Sequence, residues 1–280
     1  MADGDPANAD PADADPTNAD PAGGEREARV LDAVVSLVDS LLHDFDVVEL
    51  LTDLTERCTA LLDVSSAGLL LADPRGQLHL MAATSDRTEE IELFQLQADE
   101  GPCLDCHASG EPVSVADLSA ATERWPRFVP AAREAGFASV HAVPMRAAGQ
   151  VLGALGLFGT RTGALNDADL LVGHSLAHVA SVAIVQEHPP TSDTVVPHLR
   201  SALASWVVVE QAKGFLRERL DLTVADAFTL LRAYARRSGT HLSEVARQLV
   251  SDPAARPGLV AGLEELAAAD ARSQPRQTPS

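Results

Sequence analysis

From Glu25 to Leu42, apolar residues recur at Val30, Val34, Leu37, Val38 and Leu41, the spacing of a helix with one apolar stripe, and a dimer-forming helix fits there. Asp46 stands at a cap position ahead of a second stripe, Val47, Leu50, Leu51, Leu54, Cys58, Leu61 and Leu62. The period then shortens to that of strands. Residues 66–73 and 77–85 are joined by Asp73-Pro74-Arg75-Gly76, a run of turn formers. A short helix near 88–98, a break at Gly101-Pro102, a strand from Val113 to Leu118 and a helix from Thr122 to Glu134 follow. Two more strands, Ser139 to Arg146 and Val151 to Phe158, flank an Ala-Ala-Gly turn, and Asn166 or Asp167 caps a long helix to about Glu187. This order predicts one antiparallel sheet with helices on its faces.

His188-Pro189-Pro190-Thr191-Ser192-Asp193 breaks the pattern and reads as a joint. Three helices are predicted behind it, at about 195–220, 223–237 and 241–250, with Thr223 and Asp226 as a capping box and Gly239 as a stop. The fold class is therefore α+β, a sheet domain over 25–188, a linker over 189–194 and an all-α module over 195–251. The Asp-Pro repeats of residues 1–24 read as a disordered acidic tail. Residues 252–280, rich in Pro, Ala and Ser, read as a second disordered tail, with at most a frayed helix near 257–271.

Charge sharpens this division. The formal charge of -20 falls as -6 on residues 1–24, -16 on 25–196, +3 on 197–251 and -1 on 252–280. Polyanion binding is thus expected only at the local reversal near the C-terminus. No export signal and no stretch of membrane-span length is recognised, so a cytoplasmic protein without membrane contact is expected. Cys58, Cys103 and Cys106 do not form a disulfide framework.

On the first C-terminal helix, Val209, Ala212, Leu216 and Leu220 form an inward stripe, while Glu210, Lys213, Gly214 and Arg217 share another face. On the second, Val224, Ala227, Phe228, Leu231 and Tyr234 or Ala235 face inward, which sends Arg232 and Arg236 outward together; on the third, Leu242, Val245, Ala246 and Leu249 are inward and Arg247 is exposed. From charge alone these bases read equally well as a solvated face. The segments Val208-Val209-Glu210-Gln211-Ala212-Lys213-Gly214, Ala227-Phe228-Thr229-Leu230-Leu231-Arg232, Tyr234-Ala235-Arg236 and Val245-Ala246, however, resemble the ANTAR family over roughly 195–251. That resemblance implies a dimerising three-helix module that binds paired stem-loops in nascent transcripts and prevents termination. Lys213, Gly214, Arg217, Arg232, Arg236 and Arg247 are then the RNA-binding candidates, through phosphate contacts and stacking on loop bases. Trp206 departs from the family pattern, where a basic residue is usual, and reads first as a dimer contact.

Residues 25–188 resemble a GAF domain of the kind found ahead of ANTAR modules in actinobacteria, through Glu100-Gly101-Pro102-Cys103-Leu104-Asp105, Gly110-Glu111-Pro112-Val113, Trp125-Pro126, Gly136-Phe137, His141-Ala142-Val143-Pro144-Met145 and Leu152-Gly153-Ala154-Leu155. The resemblance implies a sensory domain but does not choose its ligand. A cyclic-GMP site of the lysine-dependent type is excluded, because Lys213 is the sole lysine. Phe94, Cys103, Trp125, Phe128 and His141 are the pocket candidates. Cys103-Leu104-Asp105-Cys106-His107 has the C-x-x-C-H spacing of haem attachment, but with no export signal it reads as coincidence; a redox pair ranks above haem, and two structural thiols above both. His141 reads as a core or pocket-lining histidine, and His174 with His178 as a helix face. No cofactor or metal is assigned.

Without a phosphate loop or nucleophile set, a non-enzyme is expected. The reading is a signal-responsive, homodimeric RNA-binding antitermination regulator with a small-molecule signal. Its rivals are a helix-turn-helix DNA binder and a redox or ligand sensor working through protein contacts.

Overall fold

The computed structural model describes residues 21–42, 45–186 and 196–273. The acidic repeats through Asp20 and the 189–194 linker lie outside the described residues. Helix α1, Pro21–Leu42, precedes α2, Val47–Leu61, and the predicted cap is made: Asp46 Oδ1 accepts from the Val48 and Glu49 amides at 3.0 and 3.1 Å. Strands β1, Ser66–Ala72, and β2, Leu78–Ala83, form the first hairpin. Its turn closes on Asp73, whose carboxylate takes the Arg75 and Gln77 amides, with Gly76 at φ 82°. Helices α3, Asp86–Ala98, and α4, Pro102–Ser109, follow, then the short β3, Val113–Val115. After a 3-10 turn at Leu118–Ala121 come α5, Phe128–Glu134, β4, Ser139–Ala147, β5, Gln150–Gly159, and α6, Asp167–Gln186. Ala148 and Gly149 both take positive φ in the β4–β5 turn, which matches the twist of the strands it joins.

The sheet runs β2-β1-β5-β4-β3, antiparallel throughout. Both faces are covered. Ala67, Leu69 and Leu71 of β1 pack with α2 and α6, while Leu70 joins Phe158, Trp125 and Phe128 beneath α3, α4 and α5. Helix α1 begins at Pro21, inside the segment read as a disordered tail through residue 24, and two further boundaries differ from expectation. The strand from Val113 stops at Val115, and the helix expected from Thr122 begins only at Phe128, because Trp125 precedes a proline and is steered from helical backbone.

The C-terminal bundle is α7, Val196–Leu220, α8, Val224–Ser238, and α9, Leu242–Ser251. Thr223 Oγ1 accepts from the Asp226 amide at 3.0 Å, and Gly239 ends α8 at φ 65°. The expectation of a disordered tail with at most a frayed helix near 257–271 is corrected over Arg256–Ser273, which forms a further packed helix, α10. Pro257 in its first turn suits helix initiation. Val260 and Leu263 are buried, and Gly262 lies so close to the Tyr234 ring that a Cβ would meet Cε2 at 2.7 Å. Arg256 donates to the carbonyls of Leu249 and Val250 at 2.7 and 2.6 Å, closing the end of α9.

One apolar cluster runs from α2 and α6 into α7, α8 and α9, so the sheet domain and the bundle share a packed boundary. Helix α6 corrects the reading that no stretch reaches membrane-span length: among the described residues it is the one helix long and apolar enough, and 56% of its 18-residue apolar stretch is buried within the fold.

Candidate nucleic-acid interface

Helices α7 and α8 carry the basic candidates because their apolar residues are committed to the bundle core. Val209, Ala212 and Leu216 turn α7 inward; Ala227, Leu230, Leu231 and Ala235 turn α8 inward with Phe228 packed against them, while Val224, expected inward, is exposed. Lys213 is 15% exposed, donates to Glu210 Oε1 at 2.7 Å and lies 5.5 Å from the centre of the Phe228 ring. Gly214 is open: a Cβ there would meet nothing within 4 Å. Arg217 is exposed and has no ion pair among the described residues. Arg247 is paired with Glu244 one turn back.

Arg232 and Arg236 point away from the bundle core as expected, but not into water. They meet α2, where Glu49, Asp53 and Glu56 stand four and three residues apart on one face. Arg232 Nε lies 3.2 Å from Glu49 Oε1 and Nη1 3.4 Å from Glu56 Oε1, with Nη2 against Asp53. Arg236 Nε lies 2.7 Å from the same Glu49 oxygen and Nη2 3.8 Å from Asp53. Arg232 is left 14% exposed and Arg236 58%. Burial, reinforced by the neighbouring Arg236, draws the Arg232 pKa below its ordinary value, and Glu49 opposes the shift.

A second contact fixes this arrangement. Helix α9 has no side-chain cap of its own at His241; Asp46 Oδ2 accepts the Ser243 amide at 2.7 Å. One buried carboxylate therefore starts a helix in each half of the chain.

A GAF domain model matches residues 46–185, half of the chain, and an ANTAR domain model matches residues 197–250. The chain is a GAF–ANTAR protein. Similar solved structures include GAF domains of other proteins. The GAF domain of an Acinetobacter phosphoenolpyruvate-protein phosphotransferase is 18% identical, spanning 59% of this chain and 97% of that one with a TM-score of 0.46. The free methionine-R-sulfoxide reductase of Neisseria meningitidis is 18% identical, spanning 60% and 93% at 0.47, and the GAF domain/HD domain protein of Geobacter sulfurreducens 22% identical, spanning 57% and 98% at 0.44. No curated protein matches the chain.

Within the GAF domain the pocket candidates divide. Phe94, Cys103, Trp125 and Phe128 lie in one packed cluster, where Trp125 and Phe128 meet edge to face at 6.1 Å. None of the four lines the clefts of about 710, 540 and 260 Å³ found elsewhere in the fold. His141 does not join them. Its strand neighbours Val140 and Ala142 face the cluster, so His141 points to the opposite face and lines a polar cleft of about 260 Å³ with Ser139, Asn166 and Asp169. It is buried with Nδ1 unpartnered, and burial lowers its pKa.

Burial also decides the cysteine chemistry. It raises the Cys106 thiol to about 12 and, with Glu92 and Cys106 nearby, carries Cys103 well above its ordinary value. Both are thiols at neutral pH, which favours the structural reading over a redox thiolate.

Sequence reasoning missed a polar group in this core. Glu92 and Gln95 of α3 are fully buried; Gln95 donates to Glu92 and accepts the Cys103 amide at 3.1 Å, and Cys103 Sγ lies 3.7 Å from Glu92 Oε1. The paired glycines Gly68 and Gly156 make the room, since a Cβ at either would come within 2.6 or 2.5 Å of the Glu92 carboxylate. Burial raises Glu92 to about 8, so it is predominantly a neutral acid at pH 7. Polar residues three apart beside the buried Ile91, opposite glycines on two adjacent strands, were the available signal.

The two larger clefts both lie between the GAF and ANTAR portions. One, of about 710 Å³, is bounded by α1, α2 and the α8–α9 turn, the other, of about 540 Å³, by β2, α3, α7 and α8. Trp206 lines the second with Lys213 and Phe228, beside the bases rather than apart from them.

Proposed function

We propose that this GAF–ANTAR protein is a cytoplasmic, signal-responsive regulator whose ANTAR domain binds paired stem-loops in nascent RNA and prevents transcription termination. The observation that carries the reading is that α7 and α8, within the residues that match the ANTAR model, carry the chain's sole lysine, the exposed Arg217 and the Arg232–Arg236 pair. These cations would meet phosphates, and Gly214, with nothing near its missing side chain, would admit a backbone at close range. Nothing in this mechanism calls for catalysis: the GAF domain reads a small-molecule signal and the ANTAR domain acts by binding.

The working unit is a homodimer. The stripe expected to dimerise is corrected: Leu37 is buried and Leu41 packs against the same core, leaving Val38 exposed with Leu31, Val35 and Leu42 at spacings of four, three and four, the seam of a helix pair. The helix-turn-helix alternative draws less support, because the start of α9 is held by Asp46 and its Arg247 is paired with Glu244.

Crosslinking in cells followed by sequencing of the recovered nucleic acid tests the reading. Paired stem-loops near terminators are expected with the native chain and their loss with Lys213→Glu. Recovery of DNA, or of RNA that Lys213→Glu leaves unchanged, would count against it.

A further inference from the structure

We infer that the acidic face of α2 is a built-in competitor for RNA: Glu49, Asp53 and Glu56 hold Arg232 and Arg236 in place of phosphates, and the ANTAR domain binds only after they let go. This rests on the reading of α8 as part of an RNA surface.

The geometry is that of a mimic. Two guanidinium groups one helical turn apart face three carboxylates spread over two turns, and Glu49 accepts from both arginines. A guanidinium fork satisfies phosphate and carboxylate with the same donors, so one set of N–H groups cannot serve α2 and a transcript together. Arg232 donates to two carboxylates, touches a third and is mostly covered. Any RNA brought to this face would also meet the negative charge of α2 itself. The Asp46–Ser243 bond and the apolar boundary hold the faces in register, so the ion pairs are one part of a larger dock.

Closed and open arrangements are then linked to ligands on either side. RNA binds the open form, and its apparent affinity falls by the fraction of molecules that are closed. A signal that favours opening tightens RNA by the factor that RNA tightens the signal. The opposite face of α2, through Leu50, Leu51, Leu54 and Cys58, belongs to the core it shares with β1 and α6, so a shift in the sheet domain moves the acidic strip as well.

The test uses the full chain and the variant E49Q/D53N/E56Q, which keeps side-chain size and removes three charges. Because any loss of negative charge aids polyanion binding, E90Q/E123Q/E134Q, at three exposed acids away from α2, is the control. Amide exchange without RNA reports opening, and hairpin affinity at fixed salt reports release. Expected are faster exchange at Ser243 and along α8, and affinity raised over the control by about 5- to 150-fold, the usual range for coupled sites. Unchanged exchange, or a gain no larger than the control's, overturns the inference. Should no form bind any hairpin, the RNA reading fails separately, and heparin retention then decides: stronger retention than the control supports a released basic face, equal retention refutes it. E49Q alone, touching both arginines, is expected to lie between the native chain and the triple variant; equality with the native chain would count against the mimic.

Discussion

Asp46 accepts three backbone amides with two oxygens, one oxygen serving α2 and the other α9. Asparagine keeps one acceptor and replaces the other with a donor, so Asp46→Asn can still cap α2 but must turn an N–H toward the Ser243 amide. Alanine loses both caps. A cap is worth about 0.5–2 kcal/mol, and a hydrogen bond to a charged group about 1.5–3 kcal/mol. Asp46→Asn is therefore expected to cost about 1–2 kcal/mol, confined to the boundary between domains, and Asp46→Ala about 2–4 kcal/mol. Urea unfolding of the full chain gives the totals, and amide exchange at Ser243, Val48 and Glu49 assigns them to a helix. Asparagine should expose Ser243 while leaving Val48 and Glu49 protected. Equal exchange at all three amides in both variants, or native-like protection of Ser243 in Asp46→Asn, would refute the shared cap.

Glu92 binds its proton more tightly folded than unfolded, so between the ordinary carboxylate pKa and about 8 the native state holds more protons, and stability falls as pH rises, by up to about 1.4 kcal/mol per pH unit. Glu92→Gln should flatten that slope in chemical denaturation at pH 5 to 8, and an unchanged slope would place the titration elsewhere. Leu263→Ala on α10 removes a fully buried side chain and should cost about 2–5 kcal/mol; a cost near zero would return this helix to the status of a tail. Charges at Val35 and Val38 of α1 should turn a dimer into a monomer in sedimentation, with no change in the native chain's secondary structure; a mass independent of these residues would remove α1 from the seam.

Much of the fold was legible because its punctuation is local. Asp46 as the cap of α2, the Asp73 turn and Gly239 each act within a few residues, and each was found in place, whereas the reach of Asp46 to Ser243 was not legible. Helix α10 was legible only as a frayed helix near 257–271, since its stripe of Leu259, Val260, Leu263 and Leu266 is short, and its burial depends on Tyr234, 28 positions before Gly262. The site was half legible for a related reason. Periodicity shows that Arg232 and Arg236 leave the bundle core, but a polar face looks the same whether it meets water or the carboxylates of another domain. His141 illustrates the same limit within the sheet: one position along β4 moves a side chain to the opposite face, and a family motif does not say which face holds the space.

The affinity of the full chain for a paired stem-loop RNA, titrated against salt, tests the central reading most directly. The expected result is binding that weakens steadily as salt rises, as phosphate contacts require, and that Lys213→Glu and Arg217→Glu each reduce with a shallower salt dependence. A correctly folded chain with no affinity in dilute salt, or with affinity that neither substitution alters, would contradict it.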